Sequence, residues 1–149
     1  MRTFIISRKD GGVSVMQIFT DNTVEEEILK WHPDDQDNVA STLETTEDKI
    51  PAQDEFRNSW TLQGTDITYD LEKARNIQLD LIRIARAPKL AALDVQYQIA
   101  DEQGDDAQKK VIAAQKQELR DITEPLKDKE LSSIDDVKAE FPAELVSTT

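Results

Sequence analysis

The sequence predicts an α+β fold: a small N-terminal β-hairpin and helix, a second short β-hairpin, then a long kinked antiparallel helical hairpin. Two β-branched runs, residues 2–8 and 13–19, flank Lys9-Asp10-Gly11-Gly12, a turn signal for the first β-hairpin. From Asp70 onward, apolar residues recur at steps of three and four, and Gly104 then breaks the pattern. The expected organisation is a small α+β region over 1–50, a linker and hairpin over 51–69, a helical hairpin over 70–123, and a short helix with a tail over 124–149.

A lone β-hairpin is marginal in water and needs a cover. Thr23 reads as the N-cap of a helix with acids in its first turn, and Val24, Ile28 and Trp31 share one face of it. His32-Pro33 ends that helix. Residues 33–55 are rich in Asp, Glu, Thr, Gln and Asn and read as a loop or linker, with one short strand at Val39–Leu43. Gly64 marks the turn between Glu55–Leu62 and Asp66–Tyr69. Extended throughout, the first of these strands points Phe56, Asn58 and Trp60 to one side.

Asp70 is the expected N-cap of the long helix, with Leu71, Ala74, Ile77, Leu81, Ile84 and Ala85 as its first apolar series. After Pro88 the series resumes, offset, as Leu90, Leu93, Tyr97 and Ala100. Proline in a helix interior removes a hydrogen bond and clashes with the preceding turn. The expectation is a kink or a restart at Pro88, with Asp70–Arg86 packing on the small β-element and Leu90–Gln103 pairing with Asp106–Ile122. Asp105 or Asp106 caps the second helix, whose stripe is Val111, Ile112, Gln115, Leu119 and Ile122, and Thr123-Glu124-Pro125 ends it. A further short helix follows Ser132 or Ser133, closes at Pro142 and leaves a loose terminus. A helical arm of about 30 residues would reach roughly 45 Å.

Composition narrows the function. The net charge of -13 opposes duplex nucleic acid or an anionic membrane surface as partner, because phosphate neutralisation needs clustered Lys and Arg. Absence of cysteine excludes disulfides and thiolate chemistry. The single histidine, His32, sits at a helix end, and no nucleophile, zinc or phosphate-loop spacing occurs. The acidic clusters at Asp34–Asn38 and Asp101–Asp106 miss the glycine and glutamate positions of a calcium loop. No catalytic, cofactor or metal residue is singled out. The interaction candidates are Phe56, Arg57, Trp60, Leu90, Leu93 and Tyr97, with Pro88 and Gly104 setting geometry.

The blocks FRNSW (Phe56–Trp60), ARAPKLAALD (Ala85–Asp94), Ala100-Asp101, Gly104-Asp105 and Lys116–Asp121 carry a resemblance. From Phe56 to Thr123 the chain resembles small proteins and tail-fibre C-terminal modules encoded near phage tail genes, described as tail or tail-assembly-associated. The resemblance implies a non-enzymatic protein without cofactors, in the virion tail or, during assembly, in the host cytoplasm. Its implied partners are other tail, fibre or baseplate proteins, and a homo-oligomer is open. A tail-assembly chaperone absent from the mature virion is the alternative, and a metal-binding or enzymatic accessory module a second one.

Overall fold

Phe4-Ile5-Ile6 puts consecutive apolar side chains on both faces of a strand, a pattern that needs cover on each side. A computed structural model describing residues 1–146 shows how that cover is supplied. Strands β1 (Arg2–Arg8), β2 (Val13–Ile18) and β3 (Val39–Thr45) form an antiparallel sheet in the order β2-β1-β3. Helix α1 (Val24–Trp31) covers one face, where Val24 and Ile28 meet Phe4, Ile6 and Ile18. On the other face Trp60 packs with Ile5 and Val13, joined by Leu62, Ile67 and Tyr69 of the hairpin β4 (Trp60–Gln63) and β5 (Asp66–Tyr69). Each fully buried Ile or Val side chain contributes about 1.5–3 kcal/mol, so this doubly covered strand is the centre of the N-terminal unit.

The chain divides into two compact units, Met1–Ala74 and Arg75–Thr149. In the first, the short strand expected at Val39–Leu43 forms, two residues longer, as β3, which pairs along β1 with Ile5 opposite Leu43. The stretch before β4 is not extended. Arg57–Ser59 is a turn of 3-10 helix, so Phe56, Asn58 and Trp60 do not line one strand face. At the β4–β5 turn Gly64 has φ +64 and Thr65 has no positive φ, the arrangement of a II′ turn.

Helix α2 (Leu71–Glu102) runs unbroken through Pro88, so the chain does not restart there. Its N-cap is Asp70, whose carboxylate accepts the backbone N–H of Glu72 and Lys73. Pro88 and Ile84, four residues earlier, are both exposed, which leaves the freed carbonyl of Ile84 on the watered side of the helix.

Helices α3 (Asp106–Asp121), α4 (Glu124–Lys127) and α5 (Ile134–Ala139) complete the second unit. Pro125 lies in the first turn of α4, where its missing N–H is no loss; α3 itself ends earlier, at Asp121. With 16 residues against 32, α3 covers only the second half of α2, and the paired part of the hairpin is about 24 Å long.

The start of α2, through Ala74, belongs to the N-terminal unit, but beyond it the first half of α2 packs elsewhere than expected. Leu79 and Ile82 bury against Leu126 and Leu145, flanked by Ala85, Leu119, Ile122, Leu131 and Phe141. Residues 143–145 form a 3-10 turn that drives Leu145 into this core, so that stretch is not loose; the expected tail beyond Val146 lies outside the described residues.

One face of α2 holds these C-terminal pieces through backbone carbonyls in their last turns. Arg75 donates to Leu126 O (2.6 Å) and Lys127 O (3.0 Å) at the end of α4. Gln78 donates to Val137 O (3.1 Å) in α5. Arg86 donates to Leu119 O (3.2 Å) and Arg120 O (2.8 Å) at the end of α3. Lys89 donates to Glu144 O in the last turn. Four polar side chains on one helix therefore terminate four others.

Candidate functional site

The hairpin turn is built from its sequence in a definable way. Gly104 adopts φ +68, its N–H reaches Asp101 O (3.0 Å), and the next N–H, of Asp105, reaches Ala100 O (2.9 Å). That double bond is the Schellman closure of a helix by glycine. Of the two expected caps for α3 it is Asp105 that serves, accepting from Gln108 N at 3.0 Å.

One face of the hairpin is zipped by charge. Lys109 Nζ lies 2.8 Å from Asp101 and 3.1 Å from Asp106, and those carboxylates hold its ammonium well above the usual lysine range. Lys116 Nζ lies 2.5 Å from Asp94 and 5.4 Å from the centre of the Tyr97 ring. Tyr97 is thereby committed to the α2–α3 contact, although 37% exposed.

The opposite face is an open groove. At its base Leu93, Leu119 and Ile122 line a cavity of about 460 Å³ together with Lys89, Glu118 and Glu144. Towards the tip Ile99, Ala100 and Ile112 line a second, of about 200 Å³, with Gln96, Gln103 and Gln108. Leu93, Gln96 and Ala100 are spaced on one side of α2, as Ile112, Gln115 and Leu119 are on α3, so the two cavities share one face.

A third surface runs along the outside of α2. Ile77, Leu81, Ile84, Pro88, Ala91 and Val95 follow one another at alternating steps of four and three, the spacing of a coiled-coil seam. Ile77 and Leu81 are half-buried, whereas Ile84 is 70% and Val95 58% exposed, and Ile99 beside them is 48% exposed. Ile84, expected on the packed stripe, is on this outer surface instead. Its signal was present: the outer series keeps step through Pro88, while the inner one is offset there.

The remaining candidates separate cleanly. Phe56 (4%) and Trp60 (1%) are core residues, and between them Arg57 is exposed. Leu90 and Leu93 are half-buried on the hairpin. Val111, expected on the inner stripe of α3, is instead 51% exposed.

In the N-terminal unit, Trp31 overhangs rather than packs. Its place is taken by Glu27, a buried carboxylate that accepts from Thr20 Oγ1 (2.8 Å), Asn22 Nδ2 (2.6 Å) and Trp31 Nε1 (2.7 Å). The Asn22 and Thr20 donors, with Trp31, hold its pKa below the ordinary glutamate value. The arrangement pins the β2–α1 connection.

Among the described residues, no group of three His, Asp or Glu side chains is placed to hold a metal ion, and no helix is long and apolar enough to cross a membrane. No family model matches the chain, and searches of curated proteins and of solved structures find no match.

Proposed function

We propose that this is a non-enzymatic structural or interaction protein of a phage tail, fibre or baseplate, with the helical hairpin as its contact element. The observation that carries the contact role is the outer seam of α2, where Ile84 and Val95 stand exposed in a helical register suited to a partner helix. Isolated exposed apolar residues are ordinary, but a row at this spacing is an interaction surface. The phage assignment rests on the resemblance through FRNSW and ARAPKLAALD.

Mass spectrometry of purified particles tests it. Stoichiometric presence of the chain in mature virions supports a structural role in the tail. Presence only in lysates during assembly supports the chaperone role, in which the same seam is used transiently in the host cytoplasm. Expression from a locus unrelated to any particle overturns the phage assignment.

A further inference from the structure

We propose that two copies of this chain associate through the open groove of the α2–α3 hairpin, completing a four-helix bundle. The inference goes beyond the assignment to a phage tail and does not depend on it.

Two antiparallel helices bury side chains only along their mutual contact, and a bundle core forms when a second pair covers the face left over. Of the two faces that both helices share, one is already closed by the ion pairs of Lys109 and Lys116, which leaves the groove face open. Its floor is apolar: Ala100 is 3% and Ile112 1% exposed, with Leu93 and Leu119 half-buried beside them. Exposed Ala92 at the rim is small enough for a facing helix to approach closely.

Charge identifies the occupant. The chain carries a net charge of -13, yet from Gln96 to the tip the groove is lined only by Gln, Ile and Ala. Like-charged copies meet at least electrostatic cost across such a neutral band. At the base Lys89 on α2, whose ammonium also donates to Glu144 O, stands across the groove from Glu118 on α3, with Glu144 beside it. The Lys116–Asp94 and Lys109–Asp101 pairs set a register that places Ala92 level with Glu118, one turn from Lys89. A copy related by a two-fold axis along the hairpin lays its α3 over the first copy's α2. Lys89 of each copy then faces Glu118 of the other, so the groove is complementary to itself.

Sedimentation equilibrium of the full chain, run over a wide concentration range and at low and high salt, tests this. The expected result is a monomer–dimer equilibrium that tightens with salt as repulsion between the two acidic chains is screened. Ala92→Asp, at an exposed position, weakens the dimer by about 100-fold or more, because it buries an unpaired charge. Glu118→Lys weakens it by roughly tenfold. Val95→Asp, on the outer seam, leaves it unchanged. A chain that stays monomeric at every concentration overturns the proposal, as does a dimer indifferent to Ala92→Asp or broken by Val95→Asp. Circular dichroism of each variant confirms that the hairpin is folded.

Discussion

The Trp31 indole N–H donates to Glu27 Oε2 at 2.7 Å, although Trp31 is 63% exposed and Glu27 only 6%. A surface aromatic is thus held by a buried carboxylate, and the Lys30 ammonium lies over its ring, 5.0 Å from the centre. Glu27→Gln keeps the shape but replaces one acceptor oxygen by a donor facing donors. The variant should melt at lower temperature and lose near-ultraviolet circular dichroism from Trp31.

The same carboxylate sets a pH dependence. Its pKa is lowered from 4.5, so its stabilisation is fully present above that value and is lost as pH falls through the lower folded value. The melting-temperature gap between the native chain and Glu27→Gln should therefore be widest at neutral pH and close in acid. A gap that persists unchanged below pH 4 contradicts this account of Glu27.

Ile82 is fully buried and Leu126 nearly so, at the junction of α2 with the C-terminal helices. Truncating either to alanine should destabilise the protein by about 2–5 kcal/mol in urea or guanidinium unfolding. Leu145→Ala should fall in the same range, whereas a loose terminus would give no change.

Pro88→Ala supplies the N–H that Ile84 O lacks. Helix propensity favours the change by up to ~3 kcal/mol, with no packing to lose at this exposed position. The variant should raise the unfolding midpoint, and hydrogen exchange should show added protection in the turn from Ile84 to Pro88.

Gly104→Ala should cost about 1 kcal/mol, because φ +68 is unfavourable to a Cβ and no atom lies within 4 Å to crowd one. The penalty is conformational, so Gly104→Asn should be milder.

Much of this fold was legible because local chemistry agreed with it. Thr23, Asp70 and Asp105 cap the helices they precede, and Gly64 and Gly104 turn where positive φ is needed. What stayed hidden depended on distant partners. The strand expected at Val39–Leu43 forms, but its pairing along β1 stayed hidden, because nothing local tells it that β1 has an open edge. Arg75, Gln78, Arg86 and Lys89 look like solvated charges until the helix ends they cap are placed beside them. The candidate surface was half visible. Leu90, Leu93 and Tyr97 were found as hairpin residues, but Ile84 and Val95 were hidden because α2 carries two apolar series, and periodicity alone does not say which faces inward.

The sheet order has a kinetic consequence. Strands β1 and β2 meet across four residues, and α2 and α3 across the few around Gly104, so both pairs close short loops. By contrast, β3 has to bring Thr45 back to Thr3 after the chain has made α1 and its following turn. Closing that longer loop pays its entropy before any contact returns it, which makes the docking of β3 the slow step of the N-terminal unit. Until it docks, the inner strand of the sheet presents a bare edge, and the newly made chain is most exposed to mispairing during that interval.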